Sequence, residues 1–475
     1  MYLIIFHTVL VVMFTIRVLA RDDLLPSSRM AWFMVIVVLP IIGSLIYFLF
    51  GETDLGHRAN ALQEKVSGIV KARAGKALGD ENKLSSLVSP ELQKPFLYAA
   101  SINGFNAQPG NTAELMPDAV AARDRLIEDI DAATDHVHVL YYIWLTDNTG
   151  TRTAQALIRA ARRGVKCRVM VDGLGSRGLI KSLLWKEMEA AGVELAVALP
   201  IDRPLRIILT SRLDIRNHRK ITVIDGRIAY CGSQNCADPE FRVKAKYAPW
   251  VDIVLRLKGP VVAQKQILFA TDWMKETDTP VESFSFETNP VKGGFVALAM
   301  GDGPTERKRA SPQLFVTLIE SAQTDLTITT PYFVPDPTVI EALCAAAYRK
   351  VNVRLVLPRR NDSWIVAAAS KSYYRKLLEA GAKIYEYKGG LLHSKTLTVD
   401  DNGLFLGSSN MDMRSFDLNY ENDVLIQDRD IVRAVRARQQ EYISDSVAIE
   451  LSEVLAWQIH HRIWHNVIAT IGPVL

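Results

Sequence analysis

Cysteine is scarce in this chain: four in 475 residues, Cys167, Cys231, Cys236 and Cys344, with no CxxC spacing among them. They fall mostly in apolar, strand-like runs and read as buried thiols rather than as a disulfide framework or a zinc site. An excess of one charge is also missing. Fifty-six Lys and Arg against 52 Asp and Glu leave a net +4, too little to wrap a nucleic acid, so any anion binding is local. Low complexity is absent as well: 49% hydrophobic and 23% charged residues, with 27 Gly and 20 Pro, describe a globular chain of about three units, each able to bury a core.

No Lys or Arg precedes Arg17. The apolar segment from Met1 to about Ala20 therefore lacks the basic start of a secretory signal, although Val18-Leu19-Ala20 resembles a cleavage site. Met30 to Phe50 is uncharged for 21 residues, which at roughly 1.5 Å per residue crosses a hydrocarbon core of about 30 Å. A transmembrane helical hairpin over 1–55 is expected, turning at RDDLLPSSR, and two full crossings would return the chain to the side of its N-terminus. The basic residues on the two flanks do not choose which side that is. Residues 56–115 mix Gly, Ser, Lys and Ala with weak periodicity and read as a linker.

Beyond about residue 116 the chain repeats itself at long period. RLIEDIDAATDHVHVLYYIW (125–144) has the layout of VTLIESAQTDLTITTPYFVP (316–335): an amphipathic helix, an Asp, a β-branched strand and an aromatic pair. AARRGVKCRVMVD matches AAYRKVNVRLVLP, and EAAGVELAVAL resembles LEAGAKIYEYK. Helix precedes strand each time, and Val165, Cys167, Val169 and Val171 alternate as a strand does. The prediction is α/β: two similar halves, 116–290 and 291–475, each with a parallel or mixed sheet, packed about a pseudo-twofold axis.

The sharpest repetition is chemical. HRKITVIDGRIAYCGSQN (218–235) and HSKTLTVDDNGLFLGSSN (393–410) share six positions in equal 18-residue windows: His218/His393, Lys220/Lys395, Asp225/Asp400, Gly232/Gly407, Ser233/Ser408 and Asn235/Asn410. Strand periodicity points each His and its Lys from one face, with the Asp at the opposite parity. Asp225-Gly226 is a tight-turn dipeptide and DDNG at 400–403 a longer version, so spacing reads both Asp as turn residues. A two-residue turn at Asp225-Gly226 puts Ser233 opposite His218; the longer second turn puts Asn410 opposite His393. Each hairpin then gathers an imidazole, an ammonium and an amide or hydroxyl, which suits a phosphodiester: Lys and Asn hold the equatorial oxygens while one imidazole attacks phosphorus and the other moves protons. Lysine beside each His competes with a cation, so no metal and no cofactor is expected.

At these residues the sequence resembles the phospholipase D superfamily, whose signature is His-x-Lys-x4-Asp followed by Gly-Ser-x-Asn. The amino-terminal apolar pair, GETDLGHR, TTPYFVPD, LPRRNDS and GGLLHSK are similar to the bacterial cardiolipin synthases of that superfamily. The resemblance implies a bacterial inner-membrane, multi-pass phosphatidyltransferase that makes cardiolipin and glycerol from two phosphatidylglycerol molecules through a phosphohistidine. It puts His218, Lys220, Asp225, His393, Lys395 and Asp400 in the catalytic set, with Ser233, Asn235, Ser408 and Asn410 on substrate. By analogy His218 carries the phosphatidyl group, His393 serves as acid then base, and carboxylates outside the signature, for which Asp252 and Glu421 are candidates, orient the imidazoles. The implied partners are phosphatidylglycerol and anionic membrane lipid, with no nucleic acid and no obligate protein partner. Hydrolysis of phospholipid headgroups by the same site is the alternative.

One asymmetry stands apart. Gly192 precedes His218 by 26 residues, whereas Gly381 precedes His393 by 12. The extra stretch is basic and greasy, with Arg203, Arg206, Arg212, Arg216 and Arg219 among Leu205, Ile207, Ile208, Leu209 and Leu213, a composition that suits an interfacial segment beside the site.

Overall fold

Strands covered by helices on both faces are buried along their length, and His136–Tyr141 and Lys166–Asp172 are buried at every position but Lys166. In the computed structural model, which describes all residues except Asp23, Leu25, Pro40, 52–56, 202–213 and 471–475, these two strands and Glu194–Ala198 form a parallel trio. The helices Asn148–Arg162 and Leu183–Ala190 make the crossovers. The second half repeats the trio as Asp325–Thr329, Asn352–Pro358 and Lys383–Tyr387, with helices Pro337–Tyr348 and Tyr374–Ala380 between them.

Each trio is extended inward by the hairpin that carries a signature. Lys220–Ile224 lies antiparallel on His136–Tyr141 and returns as Ile228–Gly232; Thr396–Val399 lies on Asp325–Thr329 and returns as Gly403–Gly407. Val254–Lys258 and Asn419–Gln427 follow at matching places. At the centre Gln108–Leu115 pairs antiparallel with Phe295–Asp302, joining both halves in one 16-stranded sheet. Strand order outward from this seam is the same on both sides, with Ser446–Ile449 added at one edge.

The expected linker is instead built into the body. Helix His57–Ala74 packs on Pro260–Glu276, helix Pro90–Asn103 packs on Ala310–Ser321, and Gln108–Leu115 is the seam strand. This strand, QPGNTAEL, hides its role because its apolar residues do not alternate. It is anchored by wholly buried Asn111, whose amide donates to Gln108 and Phe295 carbonyls and accepts from Val261 N.

The amino-terminal region departs from a hairpin of two full spans. Among the described residues, Tyr2–Leu19 is the one helix long and apolar enough to cross a membrane. The run Met30–Phe50 is broken into helices Pro26–Val38 and Ile42–Phe50. Pro40 is in the sequence at the break; it has no N–H and disfavours helix in the residue before it. Ile41 N donates to His7 Nδ1 at 3.4 Å and Arg21 Nη1 donates to the Gly51 carbonyl at 2.7 Å. The last short helix therefore runs alongside the first in the same direction, and the chain leaves this bundle at the Arg21 end rather than returning beside Met1. Phe14, Val18, Trp32, Ile36 and Tyr47 form its core.

Candidate functional site

Both signature hairpins close through three residues, not the two and the longer turn expected. Thr222 faces Tyr230 and Ile224 faces Ile228; Thr396 faces Leu406 and Val399 faces Gly403. Asp225 (φ 51°), Gly226 (φ 61°) and Asp400 (φ 47°) take left-handed conformations, which Asp and Gly tolerate. Each Asp is held in that turn by its carboxylate. Asp225 accepts from the N–H groups of Thr134, Asp135 and His136 at 3.0, 2.8 and 2.9 Å; Asp400 accepts from Gln323, Thr324 and Asp325. Both signature aspartates thus tie a hairpin tip to the start of the neighbouring parallel strand, away from the imidazoles.

The register, one residue off the expected pairing, redirects the serines. Ser233 Oγ donates to Asp252 Oδ1 at 2.6 Å, and Ser408 Oγ donates to Glu421 Oε2 at 2.5 Å. Neither hydroxyl is placed as a substrate ligand; each holds a carboxylate that in turn holds an imidazole. His218 Nδ1 donates to Glu421 Oε2 at 2.8 Å, and His393 Nδ1 donates to Asp252 Oδ1 at 2.6 Å. The pairing crosses the molecule, since each imidazole takes its carboxylate from the other half.

Two short parallel ladders set this exchange. Arg216–Asn217, just before His218, pairs with Asn419 and Tyr420, just before Glu421. Leu391–Leu392, just before His393, pairs with Trp250 and Val251, just before Asp252. The next amide continues each ladder: His218 N donates to the Tyr420 carbonyl and His393 N to the Val251 carbonyl, both at 2.9 Å. Backbone pairing therefore fixes both imidazole–carboxylate pairs before any side chain is considered.

With Nδ1 committed, Nε2 of each ring is the nitrogen left to react. Both rings line one cavity of about 700 Å³. Tyr142 packs edge-on to His218 at 4.9 Å and Trp250 lies tilted 4.5 Å from His393. Lys220 Nζ donates to the His218 carbonyl at 2.8 Å and Lys395 Nζ to the His393 carbonyl at 2.6 Å. Asn235 and Asn410 also line the cavity, and Asn410 Oδ1 is buried without a partner. Both halves give the cavity apolar lining, Ile143, Leu145, Phe241, Val243 and Trp250 from the first and Val334, Val366 and Met413 from the second, with Arg177, Lys244, Asp412 and Arg414 as its charged groups.

Charge crowding sets the protonation of the site. Burial, then repulsion from Lys220, Lys395 and His393, hold the His218 imidazole well below its ordinary value. Burial and Lys395 bring His393 down to about 4, against the pull of Asp252. Burial likewise lowers Lys220 to about 8 and Lys395 to about 7. The carboxylates differ. Against burial, His393 and Lys395 hold Asp252 down to about 2, whereas burial pushes Glu421 up to about 7 despite Lys220 and its hydroxyl and amide donors. Two imidazoles opening on one cavity that Arg177, Lys244 and Arg414 also line, with the Lys220 and Lys395 ammoniums buried close by, suit an anion, and two reactive nitrogens can serve attack and proton transfer.

Tyr142, Trp250, Tyr332, Asp412 and Arg414 were not singled out by sequence, although the aromatic pair ending each repeated strand unit was the available signal for Tyr142 and Tyr332. Arg216 and Arg219 correct the interfacial expectation. Both are buried: Arg216 contacts Asp172 at 3.4 Å, and Arg219 bonds Asp272 at 2.8 Å and the Glu421 carbonyl at 3.0 Å. Arg203, Arg206, Arg212 and their aliphatic neighbours lie outside the described residues. All four cysteines are buried and free. Among the described residues no group of three His, Cys, Asp or Glu side chains is arranged to hold a metal ion.

Comparison with known proteins places this geometry in a family. The model "Cardiolipin synthase, PLD-like domain" matches residues 126–271 and 315–443, and "Phospholipase_D-nuclease N-terminal" matches 9–52. The chain is 35% identical over 460 residues to cardiolipin synthase A of Serratia proteamaculans, covering 96% of this chain and 93% of that one. It is 33% identical over 475 residues to cardiolipin synthase A of Proteus mirabilis, covering 99% and 97%. Among solved structures it resembles phosphatidylserine synthase of Haemophilus influenzae, with a TM-score of 0.57 at 15% identity over 76% of this chain and 95% of that one, a likeness of fold.

Proposed function

Because the chain belongs to the phospholipase D-type cardiolipin synthases, we propose that it joins two phosphatidylglycerol molecules into cardiolipin and glycerol by way of a phosphohistidine on His218. The enzyme is a membrane phosphatidyltransferase, and we assign it to the bacterial inner membrane as a multi-pass protein whose shorter apolar helices complete the anchor begun by Tyr2–Leu19. The observation that carries the mechanism is the crossed pairing of His218 with Glu421 and His393 with Asp252 around one cavity.

His218 Nε2 attacks the phosphorus of the first phosphatidylglycerol, and the P–O bond to the headgroup glycerol breaks. His393 delivers its proton to the departing alkoxide, and glycerol leaves. The primary hydroxyl of a second phosphatidylglycerol then gives its proton to His393 and attacks phosphorus, the P–N bond breaks, and cardiolipin leaves with His218 restored. Asn235 and Asn410, which line the cavity, and Lys220 and Lys395, which bond the two histidine carbonyls, would steady the oxygens of the phosphoryl group. The anionic phosphodiester opposes the repulsion that depresses both imidazoles, so His393 gains its proton in the complex. His218, held well below its ordinary value by burial and Lys220, suits the neutral nucleophile; His393, beside a carboxylate held at about 2, suits the proton carrier.

The apolar lining of the cavity, with Phe241, Val243 and Trp250 from one half and Val334, Val366 and Met413 from the other, supports a lipid alcohol over water as the second acceptor. The test is product analysis with headgroup- and acyl-labelled phosphatidylglycerol in detergent micelles. Cardiolipin and glycerol in equal amounts are expected. Phosphatidic acid with glycerol would mean hydrolysis, and no product would remove the assignment.

A further inference from the structure

The helix Ile459–Thr470 presents an unusual face to solvent. Ile459, Ile463, Trp464 and Val467 fall on one stripe and are 68, 56, 48 and 51% exposed. Buried Ile468 ties the helix to Ala368 and Ala369 on Trp364–Lys371. Trp364, itself exposed, stacks on Trp464 at 5.9 Å and extends the patch. The supporting helix also borders the reaction cavity, which Val334, Ser363 and Val366 help to line. Scattered apolar residues on a surface need no explanation, but a contiguous stripe does.

On the cavity lining from the first half, the segment Arg242–Tyr247 has a similar character. Val243 is exposed and lines the cavity, with Arg242, Lys244 and Lys246 exposed around it. Lys244 reaches Asp362 beside the supporting helix at 2.5 Å and so links the two segments. Arg462 flanks the stripe, and neither segment contains an acidic residue. Apolar side chains including a Trp pair, fringed by cations, are the composition of a surface that sinks into a headgroup layer containing anionic lipid.

The geometry points to a second membrane attachment, in which the Ile459–Thr470 stripe with Trp364 and the Arg242–Tyr247 segment dock on the bilayer and hold the cavity mouth at its surface. The occupant is the anionic lipid bilayer. Docking there would let a headgroup enter toward the imidazoles while its acyl chains stay in the membrane along the Phe241 and Val243 side. This inference rests on the lipid transferase reading for its purpose, but its principal test does not depend on turnover.

The full chain is reconstituted in vesicles of phosphatidylglycerol and phosphatidylethanolamine. The native cysteines are all buried, so a single exposed cysteine can carry an environment-sensitive fluorophore in Val467→Cys, Val243→Cys or, as a control on the helix Arg429–Ser444, Asp430→Cys. Lipids brominated in their acyl chains should quench the first two and leave the third unchanged. Quenching no greater than at 430 overturns the proposal. So does a blue shift that grows with protein density without bromine quenching, which would mean that a second copy covers the face.

A functional arm uses Ile463→Glu with Trp464→Glu, which should lower turnover of bilayer phosphatidylglycerol about tenfold while short-chain, monomeric phosphatidylglycerol is turned over as before. Equal loss on both overturns the docking role. If the unaltered protein makes no cardiolipin from the short-chain lipid, the transferase reading fails while bromine quenching still decides the docking.

Discussion

The two halves share a scaffold and differ in the surroundings of their imidazoles. In both, a three-residue turn is pinned by the signature Asp, the Lys ammonium reaches back to the carbonyl of its own His, and a serine hydroxyl steadies a carboxylate of its own half that orients the other half's imidazole. Yet the residue between His and Lys is Arg219 in one half and Ser394 in the other. Arg219 is locked to Asp272 and to the Glu421 carbonyl, while Ser394 Oγ donates to the Val251 carbonyl at 3.1 Å. Glu421 is pushed up to about 7 by burial and Asp252 is held down to about 2. Duplication supplies two equivalent imidazoles, and local burial and charge make them unequal. On this account the proton carrier is the ring facing the fully ionised carboxylate.

The largest expected effects break the pair outright. His218→Ala and His393→Ala should each reduce cardiolipin formation on the order of 10⁴- to 10⁶-fold, measured with labelled phosphatidylglycerol, with membrane association unchanged. Near-normal turnover in either would reject the two-imidazole scheme. The carboxylates sharpen the comparison. Asp252→Asn and Glu421→Gln should each slow turnover of phosphatidylglycerol roughly 10²- to 10⁴-fold, as loss of an imidazole's orienting anion does. With an activated p-nitrophenyl leaving group, which needs no proton, Asp252→Asn should recover most of its first step and Glu421→Gln should not.

How much of this was legible follows from where the signal lay. The doubled signature and repeated helix–strand units were plain because both ligand spacing and strand periodicity are local. Asp252 and Glu421 could be named as candidates, but their crossed assignment depends on pairing 216–217 with 419–420 and 250–251 with 391–392, which no local pattern encodes. The hairpin register missed by one residue because both turns close through three residues with a left-handed Asp at 225 and 400, and that slip takes Ser233 from its place opposite His218 to Asp252. The seam strand Gln108–Leu115 was invisible because buried Asn111 and left-handed Gly110 interrupt its pattern. Pro40 was a readable warning against one continuous helix over Met30–Phe50. The arginines at 216 and 219 looked interfacial only because their partners, Asp172 and Asp272, lie far away in sequence.

Smaller effects separate the halves further. Arg219→Met removes a buried guanidinium from Asp272 and should destabilise the protein by about 3 kcal/mol, whereas Ser394→Ala should lose about 1 kcal/mol; thermal unfolding in detergent compares them, and equal losses would deny the asymmetry. The mildest test is pH. Lys395 at about 7 and Lys220 at about 8 are both lowered by burial, and both are needed protonated to hold the phosphodiester. The kcat/KM profile should therefore fall on the alkaline side as pH rises through these two values in succession, and a profile flat across that range would contradict the assigned role of the lysines.

The most direct test of the central claim is covalent trapping. His393→Ala, given phosphatidylglycerol analogues with a p-nitrophenyl leaving group and a radiolabelled phosphate, should accumulate label on the protein at His218, identified by peptide mapping as an acid-labile phosphoramidate, while His218→Ala accumulates none. Label on His393 of the His218→Ala protein, with His218 unlabelled in the converse variant, would reverse the assignment and contradict the account.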